Sequence, residues 1–233
     1  MDNKQANIPK IKGRYISLDL ETTGRGESDH VIALSSFEIE DGNLNSNDFT
    51  FYILERVNIK KEALKINHLG KNYSRYQIKD KNEEKEIFLK YLFWVGNSLI
   101  FSHNSDFDSK FLNKELAYLG IPIMEKSQIR CTKKLFKQIV TLKDEGYVES
   151  RLRLIDCCNY FNLIEYSPKF HNVVYDAKLT GLLLVNLLKL NENEKIENLR
   201  LSNMQIKKCL NEEKEDDKNN KSLVDKLFKE LDI

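Results

Sequence analysis

The stretch YISLDLETTGRG, residues 15–26, constrains this chain more than any other. Tyr15, Ile16, Leu18 and Leu20 describe a buried strand, yet Asp19 and Glu21 stand inside the apolar run. Side chains at i and i+2 of a strand share a face. Both carboxylates therefore emerge together, where the strand gives way to a Thr-Thr-Gly turn. Two acids that close raise each other's pKa unless a cation lies between them. The chain has to fold so that a cation can reach that strand end.

Acids in apolar surroundings recur twice. After the short apolar run SLIFSH (98–103) comes HNSDFDSKF, with Asp106 and Asp108. Before the last long helical stretch comes HNVVYDAKL, with His171 and Asp176. An ionised carboxylate beside such elements needs a partner. Hydrophobic periodicity places strands at 14–20, 31–39 and 49–55, with the polar EDGNLNSND segment as a turn-rich separator, so these three form an antiparallel meander. A short helix or turn follows at 63–69, and helical spacing at 83–95 stops at Gly96. The run at 98–103 is a further strand, and helical stretches lie at 105–119, 132–140, 152–162 and 174–190. Three strands followed by helices alternating with one or two more strands predict an α/β fold, a mixed sheet covered by helices on both faces.

At 233 residues the chain holds one sizeable domain with length left over. Its net charge of +1 divides unevenly: residues 1–190 carry 28 basic and 25 acidic residues, and 191–233 carry 9 and 11. That weak basic bias is compatible with nucleic acid and is no evidence for it. Cys131, Cys157, Cys158 and Cys209 lack C-x-x-C spacing, which argues against a zinc ribbon or disulfide framework and fits a reducing cytosol. The N-terminus lacks a signal-peptide core, and no window approaches the ~18 apolar residues of a membrane span. The expectation is a soluble cytoplasmic protein. Ile196, Leu199, Ile206 and Leu210 have near-helical spacing, and residues 211–221 contain no apolar side chain. Beyond them Ser222 and Asp225 make a capping box ahead of Leu223, Leu227 and Leu231, which share one helical face.

Taken together, LDLETTG, HNSDFD and HNVVYDA resemble, in order and spacing, the three exonuclease motifs of the DEDDh (DnaQ-like) 3′–5′ exonucleases. Within that family the resemblance is closest to the proofreading (epsilon) subunits of bacterial DNA polymerase III, and it runs from about Arg14 to Leu190. It implies a ribonuclease-H-like sheet, three antiparallel strands plus parallel ones. With the composition, it divides the chain into a flexible leader (1–10), an exonuclease domain (11–190), a helical extension (191–210), a charged linker (211–221) and a short amphipathic helix (222–233). Carried over residue by residue, the acidic tetrad falls on Asp19, Glu21, Asp108 and Asp176, with His171 as general base. The tyrosine subclass would need Tyr at 172, where this chain has Asn172. The implied cofactors are two divalent ions, Mg²⁺ or Mn²⁺, with Asp19 bridging, Glu21 and Asp176 on the ion carrying the nucleophilic water, and Asp108 on the ion near the leaving oxygen. The backbone at Glu21–Thr23 would cradle the terminal nucleotide with Thr22 or Thr23 near its sugar, Asn104 would stand behind the ligands, and Leu69 would wedge against the last base. Ala33, Ser35 and Asn67 depart from the family, whose members usually have Glu, Gly and often His at those places.

The resemblance implies hydrolysis of single-stranded or frayed DNA 3′ ends to nucleoside 5′-monophosphates, in proofreading or repair. It also implies a DNA polymerase subunit as a partner bound through the C-terminal tail. One rival is an RNA-trimming 3′–5′ exoribonuclease of the same superfamily. The other is an inactive partner-binding module.

Overall fold

The computed structural model describes residues 8–53, 77–78, 80–146, 152–164 and 172–205. Within them the apolar positions of the opening stretch form β1 (Arg14–Thr22), the strand about which the rest is organised. Its alternation is two-sided. Ile16, Leu18 and Leu20 enter one core, and Tyr15 enters the other on the opposite face. β1 pairs antiparallel with β2 (Val31–Glu40), which pairs antiparallel with β3 (Asn43–Ile53). The short β4 (Gln77–Ile78) runs parallel to β3 at that edge. On the other side of β1 lie β5 (Leu99–Ser102) and β6 (Ile129–Cys131), both parallel to it, giving the order β4-β3-β2-β1-β5-β6. The mixed sheet with an antiparallel meander is therefore the fold that the periodicity predicts.

The start of β3 differs from expectation. The polar EDGNLNSND segment is a two-residue turn followed directly by strand. Asp41 and Gly42 take positive φ (47° and 75°), the geometry of a tight hairpin, and Glu40 pairs with Asn43. The polar residues of early β3 are held by cross-strand bonds, with Asn45 and Asn47 donating to Glu38 at 3.1 and 3.4 Å. Their weak strand propensity is overridden by pairing.

Helices cover both faces. Against Ile16, Leu18 and Leu20 pack α1 (Lys81–Val95), through Phe88, Tyr91 and Val95, and α2 (Ser105–Tyr118), through Phe111, Leu112 and Leu116. The other face receives α3 (Thr132–Lys143), α4 (Leu154–Tyr160) and α5 (Val173–Asn191), and residues 196–205 add a further helical stretch through Ile196 and Leu199. Asp80 caps α1, accepting from the backbone of Asn82 and Glu83, and Asn172 caps α5 in the same way. Gly181 lets α5 lie close on the sheet: a Cβ there would stand 2.6 Å from Leu44 Cδ1 and 3.2 Å from Ser17 Oγ.

This topology fixes where a site can form. Parallel β1, β5 and β6 bring their carboxyl ends to one edge of the sheet, and α2 and α3 both begin there. Among the described residues no helix is long and apolar enough to cross a membrane. Leu69, Asn67, His171 and the tail from 206 onward lie outside the described residues.

Candidate active site at the carboxyl edge of the sheet

The edge gathers carboxylates from three elements. Asp19 and Glu21 leave the end of β1 on one face, opposite the small residues Ser35 and Ala33 of β2. Asp176 comes from the first turn of α5, and one oxygen of each of these three acids lies within 4.8 Å of the others. Asp108 comes from the first turn of α2, on the far layer, and is buried. It is close enough to act on the charge of both Asp19 and Glu21.

The electrostatics of this group are unfavourable as it stands. Asp19 is held well above its ordinary pKa by burial, then by Asp108, Glu21 and Asp176. Burial, followed by Asp176 and Asp108, pushes Glu21 up to about 8. Asp108 rises to about 7 through burial, although the Ser102 hydroxyl and the backbone at the head of α2 pull it back. Among the described residues, the charges that raise Asp19 and Glu21 are those of other carboxylates. Such a cluster offers only hard oxygen donors, the set that suits Mg²⁺ or Mn²⁺ and disfavours zinc or copper. The residues present therefore fit divalent ions of that class.

The loop after β1 is held rigidly. Thr23 Oγ1 donates to Asp29 Oδ1 (3.1 Å) and accepts from His30 N (2.9 Å), while Thr22 Oγ1 donates to Gly24 O (2.6 Å). Both hydroxyls are thus engaged within the loop, and its backbone is tied as well, Thr23 N donating to His30 O (2.9 Å) and Gly26 N to Asp29 Oδ2 (2.6 Å). Beneath it lies Glu115, fully buried on α2, accepting from Val31 N at 3.1 Å and facing His30 Nδ1 at 2.9 Å. Lys114 of the same helix bonds Asp29 O. One clue to Glu115 is visible in the sequence: an acid sits four residues after Phe111, on the apolar stripe of α2. Asn104 is the exposed N-cap residue of α2, and its carbonyl accepts from Phe107 and Asp108.

Next to the cluster, His103 ties three elements together. Its Nε2 donates to Leu152 O at 2.9 Å, and Thr132 Oγ1 lies 3.0 Å from Nδ1. The carbonyl acceptor fixes a proton on Nε2, and in the neutral ring Nδ1 is left to accept from Thr132. Burial lowers its pKa to about 4. A depressed histidine contributes stability that is present above the unfolded pKa of about 6.5 and is lost as pH falls toward the folded value. The expected loss is roughly 3 kcal/mol between those limits. The difference in urea stability between the parent and a His103→Gln variant, followed over that pH range, checks it, because the acidic cluster acts alike in both.

Further along the same edge, Lys134 Nζ bonds Asp106 Oδ2 at 3.0 Å. The lysine's hydrogen bond and charge, then Lys126 and Lys133, hold Asp106 below its usual value. Asp106 is exposed and paired with Lys134, as an ordinary surface carboxylate is.

Comparison with known proteins agrees with this geometry. A family model described as Exonuclease, of the RNase T type, matches residues 16–184. The DNA polymerase III subunit epsilon of Rickettsia prowazekii is 26% identical over 232 residues, covering 92% of this chain and 97% of that one. Its counterpart from Buchnera aphidicola subsp. Baizongia pistaciae is 28% identical over 175 residues, covering 71% and 67%. Among solved structures, E. coli Exonuclease I in complex with a dT13 oligonucleotide superposes with a TM-score of 0.62 at 17% identity, over 78% of this chain and 41% of that one. A family match that spans both walls of the acidic edge leaves one assignment: the chain belongs to the exonuclease family of the RNase T type.

Proposed function

We propose that this 3′–5′ exonuclease removes nucleoside 5′-monophosphates from single-stranded or frayed DNA 3′ ends, as a proofreading or repair activity of the cytoplasm. One observation carries the proposal: Asp19, Glu21 and Asp176 crowd within 4.8 Å beside a buried Asp108, an arrangement of charge that bound divalent cations relieve when the acids are ionised. The similarity to polymerase III epsilon subunits supports a replicative setting.

Asp19 would bridge two divalent ions, Glu21 and Asp176 would hold the one beside the attacking water, and Asp108 the one beside the leaving 3′ oxygen. Bound there, the ions supply a water acidified enough to attack phosphorus and charge neutralisation at the leaving oxygen. His171, five residues before Asp176 in the sequence, would act as general base and accept a proton from the attacking water. The rigid backbone of Glu21–Thr23 receives the terminal nucleotide, Asn104 stands at the rim, and Leu69 separates the last base from its neighbour. Digesting 3′-labelled and 5′-labelled strands with and without chelator tests the direction and the metal. Equal-length DNA and RNA oligonucleotides test the sugar, because the 2′-OH is what such a site senses. Faster digestion of RNA would replace the DNA reading with an exoribonuclease.

The tail completes the proposal. A helix of about a dozen residues is marginal alone and gains stability by laying its apolar face in a partner's groove. Leu223, Leu227 and Leu231 offer such a face behind the charged linker 211–221. The partner that fits the epsilon relatives is a DNA polymerase subunit. Deleting 211–233 is expected to leave hydrolysis of short single strands intact and to abolish co-elution with that subunit. Loss of folding or of hydrolysis in the truncated chain would make the tail part of the domain instead.

A further inference from the structure

The segment from Lys126 to Lys143 is the most strongly basic stretch among the described residues: Lys126, Arg130, Lys133, Lys134, Lys137 and Lys143, with no acid among them. The chain as a whole is nearly neutral, and α1 by contrast mixes Lys81, Lys85 and Lys90 with Glu83, Glu84 and Glu86. Helix stability does not explain the run, since lysines in the first turn of α3 oppose the helix dipole. Its place does.

Because β6 is parallel to β5 and β1, α3 starts at the same edge as the acidic cluster. Lys133 and Lys134 occupy its first turn, and Lys137 follows one turn later on the same side. Thr132 is joined to His103, so the head of α3 abuts the segment leading into α2. Lys134 reaches Asp106, two residues before Asp108 on α2. Lys134 and Lys137 are exposed and Lys133 is half-buried. A substrate whose terminal phosphodiester lies over the carboxylates meets this cationic rim as it leaves toward β6.

We propose that Lys133, Lys134 and Lys137 form a binding track for the phosphates of the nucleic-acid strand upstream of the scissile bond. The proposal rests on the exonuclease reading and deepens it, assigning to this rim the grip on strand length that the acidic site lacks. Each lysine neutralises backbone charge, reads no base and acts through released counterions, so its effect grows with strand length and falls with salt. The lysines touch the substrate away from the reacting atoms, so they change KM and leave kcat.

The test uses the full chain with Mg²⁺, a Lys133→Ala/Lys134→Ala/Lys137→Ala variant, and a Lys81→Ala/Lys85→Ala/Lys90→Ala control on α1. Substrates are the p-nitrophenyl ester of thymidine 5′-monophosphate and single-stranded oligonucleotides of increasing length, each at several salt concentrations. The expected result is equal ester hydrolysis by all three proteins. For the parent and the control, KM should fall as the strand lengthens; for the rim variant it should stay flat. The slope of log affinity against log salt should drop by about 2 in the rim variant, at about 0.7 for each phosphate no longer neutralised. Equal KM and equal salt slope for parent and rim variant on long strands overturn the track, as does an equal loss in the α1 control. A parent that cleaves neither ester nor strand overturns the exonuclease reading and the track with it.

Discussion

Asp19→Asn is expected to abolish cleavage and to stabilise the metal-free protein. The substitution keeps the shape of the side chain and removes an ionisable carboxyl whose charge burial, then Asp108, Glu21 and Asp176, all oppose. A carboxylate whose folded pKa is raised favours the folded state below its unfolded pKa, and that advantage disappears as pH rises through the folded value. For Glu21 the window runs from about 4.5 to about 8, and for Asp108 from about 3.8 to about 7. The metal-free parent should therefore lose stability from weakly acidic to neutral pH, and Asp19→Asn should lose less. At neutral pH the metal-free variant should be more stable than the parent, because burial and the neighbouring acids hold the Asp19 carboxyl well above its ordinary value. Mg²⁺ should raise the melting temperature of the parent, since a ligand that binds only the folded state stabilises it, and should leave the variant nearly unmoved. Asp176→Ala should behave alike. Thermal melts with Mg²⁺ or chelator, run beside digestion of an end-labelled strand, check all of this. Digestion by Asp19→Asn at the parent rate would remove the metal assignment.

His171→Ala separates proton transfer from metal binding. Loss of a positioned general base costs roughly 10²–10⁴ in kcat. The Mg²⁺-induced rise in melting temperature and the affinity for single strands should persist, because no metal ligand or lysine of the rim is touched. An imidazole with an ordinary pKa near 6.5 is a base only above it, so the parent rate should decline as pH falls through that region. The variant's residual rate should lack that decline. Single-turnover rates against pH decide it, and an unchanged rate with an unchanged profile would dismiss His171.

What the sequence made legible was local. The alternation around Asp19 and Glu21 announces a strand with both acids on one face, and that pattern survives folding because neighbouring residues alone determine it. The β2–β3 hairpin shows the limit. Asp41–Gly42 is the signature of a tight turn, yet the Asn, Ser and Asp residues after it hide a strand that only pairing with β2 creates. Likewise β6 is three residues long, too short to show a period, and exists because β5 lies beside it. At the site, the spacing of HNSDFD and HNVVYDA gives the order of the acids but not that Asp108 and Asp176 approach from opposite layers. The engagement of Thr23 by Asp29 and the support of the loop by Glu115 depend on contacts across 6 and 84 residues, which no pattern displays.

Gly181 turns the packing of α5 into a gauge for the catalytic edge. Asp176 lies five residues earlier on the same helix, about 7.5 Å along its axis. The height at which the helix rides over β1 is set where Gly181 meets the sheet, so the gap between Asp176 and the β1 acids is fixed from below. A single methyl at 181 is absorbed if the Leu44 δ-methyl swings aside. A branched side chain meets Ser17 on a buried strand that cannot yield, with Oγ and Cβ at 3.2 and 3.5 Å from the first added carbon. Wedged upward there, α5 would carry its carboxylate out of reach while every ligand stayed chemically intact. The spacing of the metal-holding acids is thus a mechanical property of the helix seat as much as a property of the acids.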